Sequence, residues 1–296
     1  MTLYVKNRSK QAYITPNHMI YIDKCYFNII YEIYALTKRL YLQIIRRPST
    51  FIASMIQPLL WLLLFGSLFQ NIPINLFTTS IKYEVFLSPG IIVFTCFNGA
   101  VNAGLPLIFD REFGFLNRIL ISPLLFKDSL LISLLIAIIT ITNLQTFTII
   151  GFHTIKMNNI PTSLFLITII KIILLITISI ASLSICFAFI LPGHIEFLGL
   201  LLLINLPTLF SSTALAPLSF MPYWLQIIAC LNPLTYAIEI IRYAYAQYNH
   251  IEISYSNTII KTVWFNLNSN ESIAILLIIT ILNTILAKFL IKYKYE

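Results

Sequence analysis

Six apolar runs, each near the roughly 20 residues that a helix needs to cross a bilayer, dominate this sequence and leave few folds open to it. They cover approximately 51–69, 85–109, 129–152, 164–191, 197–215 and 272–290. Of the 296 residues, 58% are hydrophobic and 10% are charged, and mean hydropathy is +0.87. A soluble domain carries about a quarter charged residues, and one core of this size cannot enclose so much apolar surface. Lipid is the solvent that fits. The expected fold class is therefore an all-α integral membrane protein with six transmembrane helices.

The net charge of +8 is not arranged as a basic groove, so nucleic acid is not an expected partner. The charges sit at the ends of the apolar runs, where membrane lipid headgroups are the natural partner and topology is set. With the N-terminus inside, eight Lys/Arg precede the first span; Arg111, Arg118 and Lys127 follow the second, and Lys288, Lys292 and Lys294 lie at the end, giving 8 + 3 + 3 = 14. The outer segments hold four: Lys82, Lys156, Arg242 and Lys261. Both termini are expected on the cytoplasmic or stromal side. Lys171 falls within the fourth span. An ionisable residue there invites a functional reading, but Ile172–Leu191 is long enough to cross alone, so an outer-boundary or snorkelling position is favoured.

Residues 1–19 form a polar N-terminal tail, and 20–47 are expected to form an amphipathic interfacial helix. Lys24, Asn28, Glu32, Arg39, Gln43 and Arg46 recur at spacings of 4, 4, 7, 4 and 3, opposite a stripe of Phe27, Ile30, Tyr34, Tyr41 and Ile45. A cationic two-faced helix before a span suits the lipid interface, and Pro48 ends it. The six-span domain occupies 48–296. Its longest link, between the fifth and sixth spans, stays apolar and aromatic over Pro217–Gln247 but is cut by Pro217, Pro222 and Pro233. Two short re-entrant helices before the last span fit that pattern.

The most charged internal stretch is DREFGFLNRILISP, Asp110 to Pro123. Phe113, Leu116, Ile119 and Leu120 fall on one helical side, so a short two-faced helix is expected. Either it docks in a groove on a soluble partner, or it is a solvated turn that orients the chain by charge. Glu239 and Arg242, three residues apart, are positioned to pair. Gly99–Ala103 and Ala100–Gly104 permit close helix packing and point to a subunit interface.

Catalytic and cofactor signals are absent. Cys25, Cys96, Cys186 and Cys230 are widely separated, and His18, His153, His194 and His250 are isolated, so no metal site is expected. Glycines provide no GxxxxGK[ST] phosphate loop, so this chain is not expected to bind ATP in that way, to hold a cofactor, or to be an enzyme.

Two blocks carry a family resemblance. Phe86 to Pro123 resembles the signature region of ABC-2 type transporter permeases, matching at Pro89 and Gly90, which open the second span, and at Arg111, Glu112, Gly114, Arg118, Leu120 and Pro123. Phe115 departs from the usual threonine. Pro217 to Arg242 resembles the family's stretch after the fifth span, matching at Pro222, Trp224, Leu225, Asn232, Pro233, Tyr236 and Arg242. The resemblance implies a permease subunit, working as a homodimer, with an ATP-binding-cassette ATPase on a separate chain. It also implies a coupling helix, carrying Asp110, Arg111, Glu112, Phe113, Gly114, Arg118 and Leu120, that contacts the ATPase. The alternative is a non-transporting membrane scaffold or assembly factor on the same fold. Abundant Ile, Asn, Lys, Tyr and Phe suggest an AT-rich genome. With the likeness to plastid-encoded members, this favours a plastid membrane over a bacterial inner membrane.

Overall fold

The computed structural model describes residues 26–46, 48–69, 83–121, 128–157, 163–248, 260–261 and 266–295. The expected polar tail 1–19 lies outside them. The elements are α1 (Tyr26–Ile45), α2 (Pro48–Leu68), α3 (Tyr83–Val101), a 3₁₀ turn at Asn102–Gly104, α4 (Leu105–Glu112), α5 (Phe115–Ile121), α6 (Asp128–Met157), α7 (Ser163–Ile190) and α8 (His194–Phe210). A second 3₁₀ turn at Leu218–Phe220 precedes α9 (Tyr223–Leu231) and α10 (Pro233–Tyr248). The two-residue strands β1 (Ile260–Lys261) and β2 (Asn266–Leu267) pair antiparallel before α11 (Ser269–Tyr295).

Helix α7 is the hub, packed against α3, α6, α10 and α11. Its Ile169, Ile172, Ile173, Ile176 and Ile180 lie in the main core with Phe94, Phe97, Ile149 and Ile241. Helices α2 and α11 instead expose most of their apolar side chains, among them Leu64, Leu68, Ile278 and Phe289. In water that arrangement would be heavily penalised; in lipid, helix association rests on packing and interhelical hydrogen bonds instead. One such bond joins α11 to α7, where the Asn283 amide donates to Ser179 Oγ at 2.8 Å.

Five helices among the described residues are long and apolar enough to cross a membrane: Phe51–Leu68, Val85–Glu112, Asp128–Ile155, Phe165–Ile190 and Ser269–Ile291. The chain is an all-α integral membrane protein. The second of these spans runs to Glu112, three residues past its expected end, and is broken at Asn102–Gly104. Pro106 has no N–H to continue the ladder. Ser184 from α7 repairs the break: its hydroxyl donates to the Val101 carbonyl at 2.5 Å and accepts from the Gly104 N–H at 2.9 Å.

At the expected fifth span, 197–215, the helix is α8, which begins at His194 and ends at Phe210. Helix α8 has 17 residues, about 25 Å at 1.5 Å per residue, at the lower end of the length that crosses a bilayer. It stops at Phe210 because Ser211, Ser212 and Thr213 follow, residues whose hydroxyls compete for backbone groups. Ser212 Oγ donates to the Leu209 carbonyl at 2.7 Å. The two short helices expected before the last span are α9 and α10, bent by 86° at Asn232. Asn232 Oδ1 accepts from the Leu234 N–H at 3.0 Å and Pro233 opens α10, a side-chain cap followed by proline at the first helical position.

The small residues of α3 serve packing within the chain. A Cβ on Gly99 would meet Thr142 Cγ2 at 2.6 Å, and one on Gly104 would meet the Ser184 carbonyl at 2.5 Å. Ala100 and Ala103 are fully buried. The expected subunit interface at these four positions is therefore not what they form. Lys171 is exposed on α7, about two turns from the start of that helix.

Candidate functional site

The charged residues of the Asp110–Pro123 stretch do not form one helix. Asp110, Arg111 and Glu112 complete the last turn of α4, and the chain breaks at Phe113–Gly114 before α5 begins at Phe115. Gly114 adopts φ +69° with nothing near the position a Cβ would take. Backbone conformation, not space, calls for glycine here. Helix α5 turns Leu116 and Ile119 into a core shared with Leu107, Ile108, Leu130 and Leu134. Phe113 is not on that buried side as the periodicity implied: it is 78% exposed and stacks on Phe109 at 6.2 Å. Asn117 and Arg118 are also exposed; the Leu120 side chain lies outside the described residues.

Each charged side chain of α4 reaches a different element. Asp110 is buried and accepts from Arg39 of α1 at 2.5 Å, and the Arg39 guanidinium lies 4.8 Å from the centre of the Phe115 ring. Arg39 therefore does not belong to a water-facing stripe, as its spacing had suggested. Helix α1 lies on α6 through Leu36, Thr37, Leu40 and Tyr41, whose hydroxyl meets Thr140 Oγ1 at 2.5 Å. Its Ile30, Tyr31, Tyr34 and Ile45 face outward. Of the apolar stripe, Ile30, Tyr34 and Ile45 are exposed and Tyr41 is half-buried, while the Phe27 side chain lies outside the described residues.

Arg111 closes the end of α7, donating to the carbonyls of Ala188 at 2.8 Å and Pro192 at 2.7 Å and also to that of Leu191. The last carbonyls of a helix have no partner within it, and the cation also complements the negative end of the helix dipole. Glu112 does the converse for α8: Oε1 accepts from the His194 N–H at 2.6 Å and Oε2 lies 2.6 Å from His194 Nδ1. Gly193, at the head of α8, provides no side-chain cap. His194, isolated in sequence, thus becomes part of the site, its ring also lying tilted against Phe109 at 5.3 Å. The available signal was an apolar helix preceded by Pro-Gly, with no side chain at its N-cap.

At the other end of the α3–α4 rod, Pro89, Gly90 and Arg242 come together. Gly90 lets α3 touch the unwound segment after α8: a Cβ there would lie 2.7 Å from Ala214 Cα. Arg242 pairs with Glu239 and donates to the Thr213 carbonyl at 2.8 Å, its guanidinium 3.8 Å from the centre of the Phe86 ring. Asn232 donates to the Thr208 carbonyl at 2.9 Å, and the Tyr236 hydroxyl to the Cys230 carbonyl at 2.6 Å. Trp224 is exposed, as is Pro222. Arg242 is thus a largely enclosed structural cation, and removing it from the outer count leaves the positive-charge asymmetry at 14 to 3.

Both ends lie within the stretch that matches known proteins. The ABC-2 type transporter family profile matches residues 31–246. A protein of Porphyra purpurea described as "Putative transport permease ycf38" is 47% identical over 286 residues, covering 96% of this chain and 97% of its own length. The protein of that description from Pyropia yezoensis is 46% identical over 292 residues, covering 97% and 98%. That from Cyanophora paradoxa is 45% identical over 266 residues, covering 90% and 91%. With five long apolar helices and relatives matched nearly end to end, the chain belongs to the ABC-2 type transporter family of membrane transport permeases.

Proposed function

We propose that the chain is the permease subunit of an ATP-driven exporter, working as a homodimer in a plastid membrane with a separate ATP-binding-cassette ATPase. The carrying observation is the α4–α5 corner. There Leu116 and Ile119 anchor a short helix in the core while Phe113, Asn117 and Arg118 stand exposed. An anchored helix with a cation on its free side, beside an exposed aromatic at the break before it, suits a groove on a soluble partner, because aromatic and arginine side chains dominate binding energy at interfaces. Asp110, Arg111 and Glu112, held by α1, α7 and α8, carry displacement of the corner into the bundle. ATP shifts the conformation only through differential binding, so the energy comes from the partner. Relatives from algae and the AT-rich composition support the plastid location, and the 14-to-3 charge asymmetry supports termini on the stromal side.

The test is purification of the tagged permease from its own membrane. A cassette ATPase is expected to co-purify, and Phe113→Asp with Arg118→Glu is expected to reduce its recovery about tenfold, equivalent to about 1.4 kcal/mol of binding. Lys288→Ala, which breaks an exposed ion pair with Asp128 at 3.1 Å, should leave recovery unchanged. If no ATPase accompanies the wild-type protein, the scaffold reading replaces the exporter. Topology is checked separately: a cysteine at Asn117 should resist an impermeant thiol reagent added from outside, and labelling there would reverse the orientation.

A further inference from the structure

Two adjacent side chains of opposite charge, Arg111 and Glu112, meet two adjacent helix ends of opposite polarity. Arg111 answers the carbonyls ending α7, and Glu112 answers the His194 N–H opening α8. Only Leu191, Pro192 and Gly193 separate those ends. The order of the charges matters: exchanged, each would face the like pole of a helix dipole. Besides this clasp, the start of α8 is held by Phe197, fully buried in a core with Leu107, Ile108 and Phe189, while Ile195, Glu196, Leu198 and Gly199 are exposed and the contacts of α8 are chiefly with α4 and α3.

The far end of α8 is fastened too. The Thr208 carbonyl accepts from Asn232, and the Thr213 carbonyl, three residues past the helix, accepts from Arg242. Helix α8 is therefore a short rod pinned at one end to the α4–α5 corner and at the other to the unwound segment Ser211–Leu215. We propose that Arg111 and Glu112 are positioning residues that clasp α8 to the corner, so that movement of the corner is delivered through α8 to that segment, about 25 Å away at 1.5 Å per residue. The purpose of the clasp rests on the exporter reading, in which the ATPase moves the corner; the clasp itself does not require the ATPase.

Hydrogen exchange on the permease alone, in lipid nanodiscs, tests the clasp. The charge-exchanged variant Arg111→Glu/Glu112→Arg is expected to speed amide exchange about fivefold both in 193–197 and in 211–215, as loss of hydrogen bonds at a pinned end predicts. Glu112→Ala should do so in the same two places to a lesser degree, and it serves as the decisive variant if the exchanged protein does not fold. Glu112→Gln, which keeps an acceptor for the His194 N–H, should change exchange least. Faster exchange confined to 193–197 would make the pair a local cap and overturn the proposal, as would no change at either place. Because no ATPase is present, failure here is distinguishable from failure of the exporter reading, which the co-purification decides.

Discussion

Arg242→Ala is expected to destabilise the membrane-embedded protein by about 3–5 kcal/mol, the cost typical of removing one partner from a buried ion pair. The side chains of Arg242 and Glu239 are 12% and 10% exposed. Without the guanidinium, the Glu239 carboxylate keeps its burial and loses its counter-charge, and the Thr213 carbonyl loses a donor. Phe86 also loses the cation over its ring. The measurement is unfolding of the purified protein in mixed detergent micelles, followed by loss of helix signal. Glu239→Gln/Arg242→Met should be closer to wild type than Arg242→Ala, because the double variant leaves no charge unpaired. If the single variant is the more stable of the two, the pair is not what holds α10 to α3 and the unwound segment.

The same pair shows what could be read before the fold was known. Its i, i+3 spacing gave the contact between Glu239 and Arg242 directly, since neighbours on a helix face follow from period alone. Thr213, 29 residues away, had no such rule. Apolar runs likewise located the long spans to within a few residues, because length and hydropathy set them. They overran at 197–215, where Ser211, Ser212 and Thr213 end the helix while the chain stays hydrophobic on average. Periodicity also placed Arg39 on the wrong side of α1. Counting polar residues assigned it to water, but Asp110 and Phe115 supply a buried counter-charge and an aromatic face. Such partners come from elements 71 and 76 residues distant in the sequence, beyond the reach of any local pattern. Glu112 and Arg118 looked alike as charges of one stretch. Only the break at Gly114 separates them, one turned to α8 and the other left exposed.

Gly90→Val is expected to cost about 2–3 kcal/mol, at the upper part of the range for overpacking a close contact. A Cβ at this position would lie 2.7 Å from Ala214 Cα, 2.8 Å from its carbonyl oxygen and 2.9 Å from its Cβ. Two of those three atoms are backbone, so no rotamer change relieves the overlap; either α3 or the Ser211–Leu215 segment must shift. Moving that segment strains the Arg242 bond to Thr213 as well. Ala214→Gly removes only the Cβ contact, so Gly90→Val/Ala214→Gly should recover a minor part of the loss. Gly199→Ala in α8 is the opposite case: nothing lies within 4 Å of a Cβ there, and the change should stabilise by about 0.5–1 kcal/mol because alanine loses less backbone freedom in a helix. Unfolding both variants under identical conditions gives the comparison. Opposite signs mean that the proline-glycine pair opening this span is required for close approach. Equal small effects would mean that the unwound segment yields freely, and that α3 does not hold it in place.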